Sequence, residues 1–195
     1  MSALPDLRTH FHALERLVEA QPAGVTAEIA AGVYAMTPRP RAAHSAAQAA
    51  LGDLLRSALG RRTPAGEAPE WLFLVEPELR SERASTRVVP DLAAWRRSTT
   101  GWPGRDESLI ERMPDWVGEV LSPATEACDR GPKRDGYGLA GVGWRWLVDP
   151  DRRRVEVFTN VRGTMLAGPV FEGGTAVEAP PFEGARFSLD DLFVV

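Results

Sequence analysis

Residues 114 to 150 read PDWVGEVLSPATEACDRGPKRDGYGLAGVGWRWLVDP, and they combine two strand patterns with a glycine-rich segment between them. Residues 115 to 121 alternate so that Val117 and Glu119 share one face of a strand, which Pro123 then breaks. Residues 124 to 140 predict an irregular helix, because glycine and proline lower helix propensity. Residues 144 to 148 predict a second strand. The stretch therefore places a carboxylate, Glu119, at the end of an apolar strand and a lysine, Lys133, beyond the turn.

Two helices and a hairpin are predicted before this stretch. Apolar residues at spacings of three and four predict a helix over residues 5–20 and a clearer one over 42–59 that ends at Gly60. Alternation around Gly32 predicts a β-hairpin over residues 25–36. The apolar run 71–75 predicts a strand, which residues 77–80 are expected to continue.

Further strands are predicted on both sides of residues 114 to 150. Residues 87–95 are rich in β-formers, and Pro90 in their middle predicts an edge position or a bulge just before Asp91. Residues 154–159 are expected to pair with 144–148 as a hairpin, and the tail is expected to alternate short strands with turns. Ser188 is a predicted cap for a final helical turn.

Length and composition favour one domain over residues 1–195. The chain carries a net charge of −4, 44% apolar residues and only short apolar runs, so we expect a globular protein and no membrane span. A single cysteine, Cys128, fits a reducing compartment, and we expect a cytoplasmic protein. The arginine clusters are interpreted first as solvated surface, although a local basic patch is all that a DNA-acting enzyme needs. These clusters are Arg39 with Arg41, Arg61 with Arg62, Arg96 with Arg97, and Arg152 to Arg154.

Lysine usage is unusual in this chain. The sequence has 23 basic residues, and Lys133 is the only lysine among them. A coding bias toward arginine explains why nearly all the basic residues are arginine, and it makes the single lysine a residue of interest. Lysine is a compact cation that changes its pKa readily on burial, and arginine does not replace it in that role.

Asp91 and Glu119 are predicted to lie on neighbouring strands, where two carboxylates suit a Mg²⁺ ion. Mg²⁺ prefers one or two carboxylates, with water and substrate completing its shell. A nearby ammonium such as Lys133 positions a water or stabilises developing charge. Spacing alone does not select this pair, because the chain has 27 acidic residues.

Residues 25 to 195 resemble the Uma-two family of restriction-endonuclease-like proteins, which have the PD-(D/E)xK nuclease fold. The resemblance rests on motifs in matching order: the hairpin with Gly32, His44, VVPDLAAW, PDWVGEVLSPAT, DRGPKRDGY, AGVGWRWLVDP, RRVEVF and FSLDDLF. It implies an α/β (mixed α+β) fold with a restriction-endonuclease-like core over approximately residues 42–149. A central mixed sheet flanked by helices, an N-terminal hairpin and a C-terminal β extension are also implied.

The resemblance also implies roles for individual residues. Asp91 and Glu119 match the family's metal-binding carboxylates, and Lys133 matches its catalytic lysine. The standard motif has lysine two residues after the glutamate, where this chain has Leu121, so the lysine has moved to the following helix. Gly143 and Trp144 replace a proline and a glutamate that are common in similar proteins.

Three secondary site residues remain open to two interpretations each. Glu28 matches an acidic hairpin residue of the family, and a solvated glutamate is an equal alternative. His44 and Gln48 share a helix face that points to the site if the helix packs over it, but a capping or core-edge histidine is the simpler interpretation. An ion pair between Asp129 and Lys133, four residues apart, would orient the lysine.

The function implied is a Mg²⁺- or Mn²⁺-dependent endonuclease acting on DNA. An alternative is a catalytically silent nuclease fold that binds nucleic acid or serves in assembly, since a fold does not guarantee an activity. Hydrolysis of RNA or a small phosphodiester would use the same site. Cutting a duplex needs two sites, which a symmetric homodimer provides most simply.

Overall fold

The computed structural model describes residues 7–22, 25–37, 39–61 and 66–194. Arg62, the second member of one predicted arginine cluster, lies outside these residues. The helices are α1 (Leu7–Glu19), α2 (Ala42–Leu59), α3 (Glu126–Cys128), α4 (Arg134–Ala140) and α5 (Leu189–Leu192), and a π-helical segment, Asp129–Lys133, joins α3 to α4. The strands are β1 (Thr26–Ala30), β2 (Val33–Thr37), β3 (Trp71–Val75), β4 (Glu78–Ser81), β5 (Thr86–Val88), β6 (Leu92–Arg96), β7 (Leu109–Ile110), β8 (Trp116–Val120), β9 (Trp144–Asp149), β10 (Arg154–Val161), β11 (Thr164–Glu172), β12 (Ala176–Val177) and β13 (Phe187–Ser188).

Two sheets organise the molecule. The six-stranded sheet has the order β11-β10-β9-β8-β6-β3, with β8 and β9 parallel and the other neighbours antiparallel. The five-stranded sheet has the order β2-β1-β5-β4-β7. The predicted mixed α/β fold with a mixed central sheet, an N-terminal hairpin and a C-terminal β extension is confirmed. Among the described residues, no helix combines the length and apolar character needed to cross a membrane.

The six-stranded sheet is covered on both faces, because alternate residues of its central strands point to opposite sides. On one face, Trp116 and Trp146 pack with Leu51 of α2 and with Phe182 of the C-terminal segment. On the other face, Val117 belongs to a second apolar cluster with Trp95, Tyr137 and Val142. Glu119 lies two residues from Val117 and therefore faces the second cluster, beneath α4.

Two glycines let α4 approach its neighbours closely. A Cβ on Gly136 would lie 2.7 Å from Oγ1 of Thr86 and 3.2 Å from the backbone nitrogen of Ala31, in the turn of the β1–β2 hairpin. A Cβ on Gly138 would lie 2.5 Å from the carbonyl oxygen of Gly163, in the β10–β11 turn. The glycines that make this helix weak by propensity are therefore the residues that let it pack between two hairpins.

Three predictions about the strands are wrong in detail. Pro90 lies neither at a sheet edge nor in a bulge: it separates β5 from β6, which belong to different sheets, and β6 lies between β8 and β3. Residues 77–80 do not continue β3, because Glu76 adopts a positive φ of 49° and the chain passes there to the other sheet, where Glu78–Ser81 form β4. The tail is not made only of short strands, since β11 has nine residues.

Other local predictions are confirmed. The clear helix spans Ala42–Leu59 and ends at Gly60, and the segment after the turn is irregular with a π-helical turn that contains Pro132. The hairpin of β9 and β10 forms with antiparallel pairing. Ser188 caps α5 by accepting a hydrogen bond from the backbone nitrogen of Asp190.

Candidate active site

Asp91 and Glu119 lie side by side, at the point where β6 begins and β8 ends. Leu92 pairs with Gly118 in the antiparallel register of β6 and β8, so the next residues outward are Asp91 and Glu119. Oδ2 of Asp91 accepts a hydrogen bond of 2.7 Å from the backbone nitrogen of Val120. Oε2 of Glu119 lies 3.5 Å from the backbone nitrogen of Asp91. The adjacent strands therefore hold the two carboxylates against each other's backbone.

Lys133 is enclosed by three carboxylates. Its Nζ lies 2.9 Å from Oε1 of Glu28, 3.1 Å from Oε1 of Glu119 and 3.7 Å from Oδ1 of Asp129. The lysine side chain is only 6% exposed. The predicted ion pair between Asp129 and Lys133 is present, and the interpretation of Glu28 as a solvated hairpin residue is wrong, because Glu28 is 3% exposed.

The segment that carries Lys133 is anchored to β10. The Arg130 guanidinium makes two hydrogen bonds to Glu156, of 2.8 and 3.0 Å, and a third, of 2.8 Å, to Glu126. Such a two-pronged contact fixes orientation as well as distance. At the other end of α4, the side-chain amide of Asn160 donates to the carbonyl oxygens of Gly138 and Val142. These contacts hold the wide π-helical turn that brings Lys133 to Glu119.

His44 and Gln48 both contact Asp91 from α2. Nε2 of His44 lies 3.3 Å from Oδ2 of Asp91. The side-chain amide of Gln48 donates to the carbonyl oxygen of Asp91 at 3.1 Å and to Oε1 of Glu76 at 3.2 Å. The helix cap is at Arg41, so His44 is not a capping residue. The face of α2 that carries His44 and Gln48 therefore points toward Asp91.

Burial controls the protonation of the carboxylates. Burial, against the opposing attraction of Lys133 and with smaller contributions from Asp129, Asp91 and Glu28, raises the pKa of Glu119 to about 7. Burial also raises the pKa of Asp129, although Lys133 and Arg145 oppose that shift. The one ammonium therefore does not compensate all the carboxylates that surround it.

The two basic groups next to the carboxylates, Lys133 and His44, have raised pKa values. Burial alone would lower the pKa of Lys133, but Glu119 and Glu28 raise it well above its usual value. Burial likewise acts to lower the pKa of His44, and the neighbouring Asp91 outweighs it, so the pKa of the imidazole is raised. Lys133 is thus a permanent cation rather than a group that exchanges protons.

Tyr137 binds the same carboxylate oxygen as Lys133. Its hydroxyl donates a hydrogen bond of 2.6 Å to Oε1 of Glu119. Burial, and after it the charge of Glu119, raise the pKa of Tyr137 well above its usual value, so the hydroxyl keeps its proton and remains a donor. Lys133 and Tyr137 together occupy Oε1 and leave Oε2 of Glu119 turned toward Asp91.

Sequence reasoning missed Arg145, which is completely buried on β9. Its guanidinium lies over the rings of Tyr137 and Phe158, and none of its three nitrogens has a hydrogen-bond partner among the described residues. Burial lowers the pKa of Arg145, and Glu119 and Asp129 oppose that shift. The arginine therefore acts as an interior positive charge beside the carboxylates.

A signal for Arg145 is present in the sequence. It stands in the run WRWLVD, in a strand that pairs in parallel with β8, and parallel strands are usually covered on both faces. A strand covered in this way must bury its charged residues along with its tryptophans.

The residues present fit a divalent cation with few protein ligands. Oδ1 of Asp91 accepts no hydrogen bond from the described residues, and Oε2 of Glu119 has only its long contact with the Asp91 backbone. Within the described ranges, no group of three or more His, Cys, Asp or Glu side chains is arranged to hold a metal. Mg²⁺ usually binds one or two protein carboxylates and completes its coordination shell with water or substrate, so Asp91 and Glu119 suit it.

The site opens at Asp91, whose side chain is 16% exposed while those of Glu28, Glu119 and Lys133 are at most 6% exposed. A cleft of about 330 Å³ lies beside it, between α2 and β3. Gln48 lines this cleft and also contacts the backbone of Asp91. Ser45, Gly52, Phe73, Glu76 and Leu92 line it as well.

Surface arginines are largely engaged with acidic neighbours. Arg41 pairs with Asp151, Arg153 with Asp190, and Arg96 and Arg97 both contact Glu70. The side chains of these arginines are 40 to 52% exposed. Their interpretation as solvated surface is consistent with these positions.

Comparisons with known proteins agree on a nuclease-like fold. The family model Uma2, described as "Putative restriction endonuclease", matches residues 9–190. A crystal structure described as "a putative nuclease belonging to DUF820 from Anabaena variabilis ATCC 29413" aligns with a TM-score of 0.69 and 23% sequence identity. The alignment covers 93% of this chain and 97% of that chain. No curated protein sequence matches the chain.

Proposed function

The chain belongs to the Uma2 family, and from that membership we propose that it is a divalent-metal-dependent endonuclease that hydrolyses phosphodiester bonds of DNA. Asp91, Glu119 and Lys133 are the central residues of this proposal. The observation that carries it is the position of Asp91 and Glu119 beside each other on paired strands, with Nζ of Lys133 3.1 Å from Oε1 of Glu119.

Asp91 and Glu119 would hold the metal, Mg²⁺ or Mn²⁺. When bound, the ion supplies charge neutralisation for the phosphate and lowers the pKa of a coordinated water. Asp91 is oriented for this task by the backbone nitrogen of Val120 and by His44. Glu119 is oriented by Tyr137 and Lys133, which bind its other oxygen. Each carboxylate is thus oriented by neighbours that bind one of its two oxygens.

Lys133 contributes a positive charge rather than a proton. Its ammonium is enclosed by carboxylates and its pKa is raised, so it does not serve as a general base. A fixed cation near the reacting phosphate stabilises the negative charge that develops in the transition state. The ammonium also holds Oε1 of Glu119 in position and lowers the pKa of that carboxyl against the larger, opposite effect of burial.

DNA is the proposed substrate because the family description names a restriction endonuclease. The cleft between α2 and β3 offers an apolar floor next to Asp91, where the portion of the substrate beside the scissile phosphate would lie. A homodimer would place two such sites on one duplex and remains part of the proposal.

The test is cleavage of supercoiled plasmid in Mg²⁺ or Mn²⁺, with EDTA as the blank. The wild-type protein is compared with Asp91→Asn and Lys133→Met, and with Asp106→Asn as a control at an exposed aspartate. We expect nicking and linearisation by the wild type and the control only. Equal cleavage by all four proteins would assign the activity to a contaminant and contradict the proposal.

A further inference from the structure

The cleft between α2 and β3 has an aromatic and aliphatic wall that no other part of the described chain covers fully. Phe73 and Val75 lie two residues apart on β3, so they share one face of the strand, and both line the cleft. Phe73 is half-buried and Val75 is 65% exposed. On the side of α2, Ala49 and Gly52 line the cleft, and their small size leaves the space open.

The size of the cleft suits one small planar group. Its volume of about 330 Å³ lies at the lower end of the range of about 300 to 1,000 Å³ that small-ligand sites occupy. Nucleobases stack on aromatic side chains such as Phe73, whatever the base. A paired base is stacked between its neighbours and joined to the other strand, so it must leave the duplex to enter such a cleft. A base in this cleft is therefore an unpaired base.

Gln48 joins the cleft to the candidate active site. Its side-chain amide lines the cleft and donates to the carbonyl oxygen of Asp91 and to Oε1 of Glu76. These two hydrogen bonds hold the buried glutamine between the cleft and Asp91. A phosphate held at Asp91 would therefore have its neighbouring nucleoside within reach of the cleft.

Basic side chains lie farther along α2. Arg56 lines both the cleft and an adjoining cavity of about 240 Å³, which Arg61 also lines. Arg56 follows Gln48 by eight residues of the same helix, which is about 12 Å along the axis. Asp53 lines both cavities and lies 4.0 Å from Arg56, so it offsets part of this charge. Guanidinium groups bind phosphate oxygens well, and these two could hold a second phosphate of a strand that begins at Asp91.

We propose that the cleft between α2 and β3 binds one unpaired nucleobase of the DNA strand whose phosphate lies at Asp91, and that Arg56 and Arg61 bind a further phosphate of that strand. This inference rests on the proposed function, since it names the form of DNA that the same site accepts. DNA with an unpaired segment is then a better substrate than a continuous duplex. Negative supercoiling favours opening of the duplex, so a supercoiled plasmid also offers such segments.

The test is the binding of a fluorescein-labelled single strand, followed by fluorescence anisotropy, beside the same strand in a blunt duplex. EDTA is present throughout, so that the measurement depends on neither metal nor cleavage. We expect the single strand to bind at least about tenfold more tightly, because the duplex must first release a base. Arg56→Gln should reduce the slope of log affinity against log salt concentration by about 0.7, the value for one phosphate contact on a single strand.

Two variants change the cleft itself. Gly52→Leu fills it and should lower the affinity for the single strand about tenfold, the loss expected for one stacked base. This variant should fold, because a Cβ on Gly52 would lie at an ordinary 3.4 Å from Cδ2 of Leu92 and leucine favours a helix over glycine. Phe73→Leu keeps an apolar side chain, removes the aromatic face and should have a similar effect. Ala58→Leu, at an exposed position of α2 outside the cleft, is the control and should bind as the wild type does.

The outcomes separate this inference from the proposed function. Equal affinity for the single strand and the duplex, no binding of either, or wild-type affinity in Gly52→Leu would overturn the base-binding role of the cleft. Metal-dependent cleavage of plasmid, measured separately, would still support the nuclease in each of these cases. Weakened single-strand binding by Gly52→Leu and Phe73→Leu would support the cleft even if the wild-type protein cut no DNA, a result that would contradict the proposed function alone.

Discussion

Nζ of Lys133 lies 2.9 Å from Oε1 of Glu28, so the only lysine of the chain forms a buried ion pair with the first strand of the N-terminal hairpin. The predicted nuclease-like core begins at residue 42, so Glu28 lies before it and Lys133 lies within it. Glu28 also accepts a hydrogen bond of 2.8 Å from the backbone nitrogen of Val89, two residues before Asp91. The hairpin is therefore joined to the same segments that carry the site.

Removing the lysine charge should destabilise the metal-free protein. Lys133→Met leaves Glu28, Glu119 and Asp129 without their shared cation, and loss of one partner from a buried ion pair costs about 3 to 5 kcal/mol. Urea unfolding in the presence of a chelator measures the change. Arg134→Met, at the next residue, is the control and should change stability by less than about 0.5 kcal/mol. Equal stabilities for the two variants would contradict the central position of Lys133.

His44 should act on metal binding through Asp91. His44→Ala removes the side chain that lies 3.3 Å from Oδ2 of Asp91, and loss of such an orienting partner lowers metal affinity by about 10- to 100-fold. Calorimetric titration with Mn²⁺ measures the affinity. His10→Ala is the matched control, because His10 is exposed on α1. If both variants bind Mn²⁺ as the wild type does, His44 does not position Asp91.

The metal-free protein should lose stability as the pH rises from 5 to 8. The pKa of Glu119 in the folded state is about 7, above its usual value, so the folded state holds an extra proton that is lost as the pH passes through 7. The stability lost is of order 1 to 3 kcal/mol. Thermal unfolding in chelator measures it, and Glu119→Gln should flatten the dependence. If the stability of Glu119→Gln fell with rising pH at the same slope, the pH dependence would belong to other groups.

Removing the interior arginine should strengthen metal binding. Arg145→Met removes one positive charge from the neighbourhood of Glu119 and Asp129. The repulsion between such a charge and a cation at moderate distance is about 1 to 2 kcal/mol, so we expect Mn²⁺ to bind about tenfold more tightly. Arg105→Met, at an exposed arginine, is the control. Unchanged or weaker binding by Arg145→Met would show that its charge does not reach the metal position.

Much of the fold was predicted from the sequence, because the patterns that indicate helices and strands involve residues close together in the chain. Alternation in residues 115–121 and the apolar stripe of 42–59 depend only on neighbouring residues, and both elements formed as expected. The break at Pro90 was misinterpreted because proline shows that pairing stops but not that the chain changes sheets. Sheet membership depends on contacts far along the sequence.

The candidate site was predicted only in part, because some of its contacts join elements that are far apart in the sequence. Asp91 and Glu119 lie on strands that pair directly, so their proximity followed once both strands were assigned. The burial of Glu28 depends on the packing of α4 against the hairpin turn through Gly136, which no local pattern reveals. Arg145 was missed because a charged residue in a strand is normally assigned to solvent.

A silent nuclease fold differs from the proposed enzyme in one measurable property. A silent protein would keep the carboxylate cluster as structure and bind no divalent ion even at millimolar Mn²⁺. Binding of nucleic acid without metal binding would favour that alternative.

The most direct test of the central claim is a crystal soaked in Mn²⁺ and measured at a wavelength where manganese scatters anomalously. We expect an anomalous peak within about 2.1 Å of an Asp91 oxygen and of Oε2 of Glu119. Absence of a peak between these two carboxylates, or a peak only elsewhere on the protein, would contradict it.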